Sequence, residues 1–181
     1  KVIEVKPKDS HAYNNLGNAL FPKETVRVHL KKGPRTFNRK ELFLEAIELE
    51  NNCAMAYNNL GAALSADETV TVQLQTESRT LNKKELYLQA IKLDNKCALA
   101  YNNLGFNLSP EETVTVHLQT GPRTFNQKEL YMEAIKLDNN SALAYHNLGA
   151  ELSPEETVQV HLQSGSRTFG RKDLYLKAMR L

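Results

Sequence analysis

A repeat of 44 residues runs through this chain without a gap. When the four segments are aligned on one tyrosine, a glycine follows four positions later in each of them. A unit copied at a fixed spacing forms a stack in which stability arises between neighbours, so we predict a single array over residues 1–181. The aligned tyrosines are Tyr13, Tyr57, Tyr101 and Tyr145.

The repeats then fall at about 10–53, 54–97, 98–141 and 142–181. The first residues of the chain fit the end of a repeat, because Val2–Val5 align with Ala46–Leu49 at the spacing of 44 residues. Residues 1–9 are therefore expected to be the tail of a preceding repeat, and the chain a fragment of a longer array.

Each repeat begins with the pattern of an amphipathic helix. In the third repeat a small residue, an aromatic residue, two leucines and a glycine fall on one helical face of about three turns. The glycine is costly in a helix, which indicates that another helix packs closely against it. These residues are Ala98, Tyr101, Leu104, Gly105 and Leu108.

A second helix is predicted later in each repeat. Asn126 and Glu129 have the spacing of a capping box, in which the side chain of each residue bonds the backbone of the other. The same pairs are Asn38 with Glu41 and Asn82 with Glu85, whereas Gly170 with Asp173 should cap less well.

The segment between the two helices alternates polar and apolar residues, which is the period of a strand. In the first repeat Thr25–Leu30 forms one predicted strand, 31–34 the turn and 35–37 the return. If Leu30 faces Arg35, then Val28 faces Phe37, and all apolar members share one side that must lie on the helices. The corresponding predicted pairs are Val72 with Leu81, Val116 with Phe125 and Val160 with Phe169.

The helices resemble those of the tetratricopeptide repeat. The first carries Tyr57, Leu60-Gly61 and Leu64 at the family's positions, and the second carries Tyr87, Ala90 and Asp94. The ordinary repeat has about 34 residues, and the excess here coincides with the predicted hairpin. The resemblance implies a mainly α solenoid in a right-handed superhelix, with a short β-hairpin inserted between the helices of each repeat.

The resemblance also implies that the first helices line a concave surface, where repeated asparagines can bond the backbone of a bound peptide. This asparagine ladder is similar to that of the protein O-GlcNAc transferases. Selectivity would then come from Asn18, Ala62, Phe106 and Ala150. The alternative is that these side chains only bond one another or face water. The candidate residues are Asn15, Asn59, Asn103 and Asn147, preceded by Asn14, Asn58, Asn102 and His146.

Other kinds of site are disfavoured. The carboxylate clamp of some family members needs lysine or arginine where Met55 and Leu99 stand. A row of histidines on the first strand (His29, His117, His161) is broken by Gln73, so no metal and no cofactor is expected. No catalytic constellation is present, and the repeated Glu112 and Arg123 suggest structure rather than catalysis.

Composition narrows the class of partner. A net charge of +2 is too small to indicate nucleic acid or a membrane surface, and no apolar run is long enough to span a bilayer. Cys53 and Cys97, one repeat apart, are expected to be free thiols in a reducing compartment, the cytoplasm.

We therefore predict a non-catalytic scaffold that binds a protein or peptide. Two alternatives stay open: a targeting or regulatory arm of an enzyme whose catalytic domain lies elsewhere, and a structural array that associates end to end.

Overall fold

The computed structural model describes residues 9–30, 33–74 and 77–181, which form parts of two compact units, Lys1–Leu93 and Asp94–Leu181. The predicted tail up to residue 8 and the turn residues Lys31 and Lys32 lie outside the described residues. The first unit contains α1 (Ser10–Ala19), β1 (Thr25–Leu30), β2 (Gly33–Asn38), α2 (Arg39–Leu49), α3 (Ala54–Ala63), β3 (Thr69–Gln73), β4 (Ser78–Asn82) and α4 (Lys83–Leu93).

The second unit repeats this order of elements. It contains α5 (Ala98–Phe106), β5 (Thr113–Leu118), β6 (Gly121–Asn126), α6 (Gln127–Leu137), α7 (Ala142–Glu151), β7 (Thr157–Leu162), β8 (Gly165–Gly170) and α8 (Arg171–Ala178). Every repeat is thus a helix, a hairpin and a second helix.

The prediction of a mainly α solenoid was wrong, and the fold is α plus β. Of the described residues, 47% are helical and 27% lie in strands, which form four two-stranded antiparallel sheets. The prediction followed the resemblance to an all-helical repeat and therefore underestimated the share of residues that lie in strands. The inserted segment and the residues beside it form two strands of five or six residues in each repeat.

The two helices of a repeat meet where the repeated glycine faces an aromatic ring. A Cβ atom added at Gly61 would lie 2.8 Å from Cε1 of Tyr87, and one at Gly105 would lie 2.9 Å from Cε1 of Tyr131. Any side chain at either glycine would force the ring away. The close helix contact that the sequence indicated is therefore present.

The second helices begin at the predicted caps. The backbone N–H of Glu129 donates to Asn126 Oδ1 at 2.9 Å, and the backbone N–H of Asn126 donates to the Glu129 carboxylate at 2.8 Å. Gly170 has no side chain to accept such a bond, so only its backbone N–H is used, donating to Asp173 at 3.1 Å. The weaker cap predicted at Gly170 is confirmed.

The hairpins form where the sequence predicted them, but their register differs by two residues. Leu30 pairs with Gly33, Val28 with Arg35 and Val26 with Phe37. The predicted turn was too long, because Gly33 already belongs to the second strand. Its φ of +113° is one that glycine adopts without strain, and it allows a tight connection. The same shift holds in the other hairpins, where Leu81, Phe125 and Phe169 pair with Val70, Val114 and Val158.

A slip of two residues keeps each side chain on its face, since strand side chains alternate with period two. Val28 and Phe37 are consequently both buried, as predicted. The Phe37 ring meets the Tyr13 ring of α1 edge-on, with 5.9 Å between ring centroids. The apolar face of the hairpin therefore lies on the first helix of its own repeat.

Within each unit, an ion pair joins consecutive repeats. Lys40 at the start of α2 bonds the Glu68 carboxylate, and Lys128 at the start of α6 bonds that of Glu156. The lysine bond is the main reason that the pKa of each glutamate lies below its ordinary value. Each glutamate also accepts from a backbone N–H, that of Ser65 at 3.0 Å or Ser153 at 3.1 Å, which fixes the turn before the hairpin.

The glycine contact can be tested with a larger side chain. Gly61→Leu should reduce the free energy of unfolding by about 1–3 kcal/mol, because the new side chain must displace the Tyr87 ring. Ala62→Leu adds a similar side chain at the exposed neighbouring position and should change stability little. Urea denaturation of both variants measures the difference, and equal midpoints would contradict the helix contact.

Buried tyrosines should make the fold sensitive to alkali. Burial raises the pKa of Tyr87 and that of Tyr101 to about 12, from an ordinary value of 10.0. The unfolded chain therefore loses these protons first, so stability is intact below pH 10 and falls as the pH rises toward 12. Tyr87→Phe should weaken this fall in denaturation measured across that range. The same dependence in parent and variant would disprove a contribution from Tyr87.

Candidate functional site

The eight candidate residues lie in the first helices, and most of them are buried. Asn58 and Asn102 are almost completely enclosed, whereas Asn103 is half-buried and Asn15 and His146 are exposed. The remaining three, Asn14, Asn59 and Asn147, are buried.

In the first unit the buried asparagines bond one another across two repeats. Asn59 Nδ2 in α3 donates to Asn14 Oδ1 in α1 at 2.9 Å. Asn59 Oδ1 in turn accepts from Asn58 Nδ2 at 3.2 Å. The side chains that were expected to meet a peptide therefore already bond the neighbouring helix.

The second unit has the same connection. Asn147 Nδ2 in α7 donates to Asn102 Oδ1 in α5 at 3.0 Å, and Asn102 Nδ2 donates to Asn103 Oδ1 at 3.5 Å. A histidine, His146, occupies the register position of Asn102 in the last repeat. Its ring lies 5.4 Å from that of Tyr175.

These bonds give the asparagines a structural role that the sequence analysis had held as the alternative. Direct binding of a peptide by them stays a prediction, and only Asn15, Asn103 and His146 are accessible without rearrangement. An internal carboxamide pair is well suited to join two helices, because each group supplies both donors and an acceptor.

Large apolar side chains are also exposed on the first helices, beside the candidate asparagines. The sequence had not predicted a site at these apolar residues. In the second unit Leu99, Phe106 and Leu143 are 41%, 69% and 51% exposed. Leu99 and Phe106 are seven residues apart on α5, so they lie on one face with Asn103 between them. Leu143 has the register position of Leu99 in α7, the helix that Asn147 joins to α5.

A signal for this face was present in the sequence. The position of Leu99 holds His11, Met55, Leu99 and Leu143 in the four repeats, and these residues fall outside the apolar stripe of the helix core. A mainly apolar position off the core stripe indicates a surface that contacts something other than water.

The cysteines are poorly suited to chemistry. Cys53 and Cys97 are both buried, and burial is the main reason that the pKa of each thiol is raised. The reactive thiolate is therefore disfavoured at neutral pH.

No group of three or more His, Cys, Asp or Glu side chains is placed to hold a metal ion within residues 9–30, 33–74 and 77–181. His161 of the predicted histidine row instead lies 2.7 Å from Ser166 Oγ, measured from its Nδ1 atom. In the same described ranges, no helix has both the length and the apolar character that crossing a membrane requires.

A comparison with protein-family models finds no match, and a comparison with curated proteins finds no similar sequence.

The structural role of the asparagines gives a testable difference. Asn59→Ala removes a bonded carboxamide and leaves Asn14 Oδ1 without its donor, which should reduce the free energy of unfolding by about 1–3 kcal/mol. Asn15→Ala changes an exposed residue at the same register position and should have an effect within about 0.5 kcal/mol. Thermal and urea denaturation measure both, and equal effects would show that the bond contributes nothing.

Proposed function

We propose that this chain is a non-catalytic binding module that holds an apolar segment of another protein on the first-helix face of α5 and α7. The observation that supports the proposal is the exposure of Leu99, Phe106 and Leu143 on neighbouring helices of a folded unit. Large apolar side chains grouped on one surface are typical of protein interaction sites.

The repeats differ at an exposed position of this face, while their helix core stays constant. The core tyrosine, leucine and glycine of the first helix are identical in all four repeats, whereas the position of Phe106 holds Asn18, Ala62, Phe106 and Ala150. A framework that stays constant while its exposed positions vary suits selective recognition on a common scaffold.

The buried asparagines support this face indirectly. The bond between Asn147 and Asn102 fixes α7 beside α5 and therefore fixes Leu143 relative to Leu99. Asn103 is half-buried between Leu99 and Phe106, where a bound segment would contact it. Affinity would come mainly from apolar contact, with hydrogen bonding giving orientation.

The helix pairs resemble tetratricopeptide repeats, and a kinship with that family is part of the proposal. The buried thiols of Cys53 and Cys97 accord with a reducing compartment such as the cytoplasm. A role as a targeting arm of a larger enzyme remains a prediction from the sequence.

The binding face can be tested with a random peptide library selected on the parent protein. The double variant Leu99→Gln and Phe106→Gln should bind the selected apolar peptides more weakly by about 1–3 kcal/mol. The reason is that glutamine amides replace apolar surface whose burial against the peptide would contribute to the binding free energy. Isothermal titration calorimetry measures the affinities.

Phe21→Gln is the matched control, since Phe21 is an equally exposed phenylalanine that lies outside the first-helix face. It should bind like the parent. Loss of binding in Phe21→Gln, or unchanged binding in the double variant, would place the interaction elsewhere on the molecule.

A further inference from the structure

Two cavities lie at equivalent places in the two units, each between a repeat and the one that follows it. Each cavity is bounded by the turn after a first helix, the start of the second helix of that repeat, and the end of the next first helix. The first cavity, in the first unit, has a volume of about 260 Å³, and the second cavity, in the second unit, about 460 Å³. Their linings differ in charge at three register positions, and the second cavity is the more negative at each. These positions hold Lys23, Arg39 and Ala63 in the first unit and Glu111, Gln127 and Glu151 in the second.

Both cavities include the N-terminal end of a second helix. The backbone N–H groups of such an end have no partner within the helix and carry partial positive charge, which favours a nearby anion. In the second cavity the chain itself supplies the anions, because Glu111 and Glu151 line it beside the start of α6. The second cavity therefore shows which chemical group suits this place in the fold.

The first cavity gathers positive charge instead. The helix α2 begins with Arg39 and Lys40, so two cations are added to the positive end of the helix. The ammonium group of Lys40 is neutralised by Glu68, and the carboxylate of Glu41 is used by the helix cap. Within residues 9–30, 33–74 and 77–181, neither Arg39 nor Lys23 takes part in an ion pair. The first cavity therefore lacks the anions that the second one contains.

The Arg39 side chain is held in place but is not fully bonded. It is half-buried, and its Cζ atom lies 5.6 Å from the centre of the Phe43 ring. Its Nε atom is completely enclosed and has no hydrogen-bond partner in the part of the chain that the structure describes. An enclosed donor without a partner costs free energy, and a guanidinium group carries its donors in a fixed fork that matches an oxyanion. Arg39 is therefore a preorganised cation on the wall of the cavity.

We propose that the first cavity binds a carboxylate from an acidic segment of another protein. This carboxylate takes the part that Glu111 and Glu151 have in the second cavity, and it lies among the Arg39 guanidinium, the Lys23 ammonium and the start of α2. A carboxylate is the group that the chain itself places in the equivalent cavity. Both repeats that form the first cavity belong to the first unit, so the site is complete within it.

This site is independent of the proposed binding of an apolar segment. The apolar face consists of Leu99, Phe106 and Leu143, and none of these residues lines the first cavity. The double variant Leu99→Gln and Phe106→Gln should therefore bind an acidic peptide as the parent does, so that failure of one proposal leaves the other standing.

Titration of the full chain with a capped triglutamate peptide, followed by NMR, tests the proposal. The peptide should shift the Nε–H signal of Arg39 and the backbone N–H signals of Arg39 and Lys40, whereas the matched triglutamine peptide should not. Inorganic phosphate is titrated in parallel. Tighter binding of phosphate than of the glutamate peptide would assign the cavity to phosphate and overturn the carboxylate.

The third repeat supplies variants that suit the fold. Lys23→Glu and Arg39→Gln each introduce the residue that the third repeat carries at that position, and each should weaken binding of the glutamate peptide about tenfold, because a charged hydrogen bond is lost. Ala63→Glu introduces the residue of the fourth repeat and should prevent binding, because its own carboxylate then enters the cavity. Lys92→Glu makes the charge change of Lys23→Glu at an exposed position of α4 and should bind like the parent.

The reverse exchange tests whether these positions are sufficient. The triple variant Glu111→Lys, Gln127→Arg and Glu151→Ala gives the second cavity the residues of the first, so it should gain a second site for the glutamate peptide. A parent whose Arg39 signals do not respond to this peptide overturns the proposal. Equal binding of the glutamine peptide, or unchanged binding in both Lys23→Glu and Arg39→Gln, overturns it as well.

Discussion

The contact between a glycine in the first helix and an aromatic ring in the second determines how each repeat is built. At Gly17, Gly61 and Gly105 no side chain could be added without meeting the facing ring at less than 3.0 Å. The close approach of the two helices forms the surface on which the hairpin then packs, through rings such as Tyr13 and Phe37. A small residue at one position therefore controls three elements at once.

Consecutive repeats within a unit are held by contacts of a different kind. An apolar groove receives the next helix, a buried carboxamide pair sets its position, and a lysine fixes the turn before the next hairpin. Buried polar groups cost free energy unless they are bonded, so the asparagine pairs permit only one alignment of the two helices. The apolar contact supplies most of the stability, and the carboxamides and ion pairs supply the specificity.

The use of some side chains to join repeats determines which other side chains can bind a ligand. Groups that bond between repeats are unavailable to a ligand, which applies to the buried side chains of Asn14 and Asn102. Side chains on the same helices that are not needed between repeats, such as Phe106, remain exposed and differ from one repeat to the next.

The sequence by itself determined the features that depend on local periodicity and capping. These include the four repeats, the helix pair with its close glycine contact, the caps at Asn38 and Asn126, and the hairpin with its buried Val28 and Phe37. Local patterns could not determine the register of the hairpin, because a slip of two residues leaves the same side chains buried. The predicted fold class was also wrong. It followed the all-helical family that the helices resemble, although the sequence pattern also predicted two strands in every repeat.

Only the tertiary structure decided which groups the repeated asparagines bond within each unit. A polar residue recurring every 44 residues has the same appearance in a sequence whether it faces a ligand or bonds an asparagine of the neighbouring repeat. The distance of 2.9 Å between Asn59 and Asn14 settles that they bond each other, and it depends on how closely two helices pack. That spacing is set by contacts between residues far apart in the chain, which no local pattern contains.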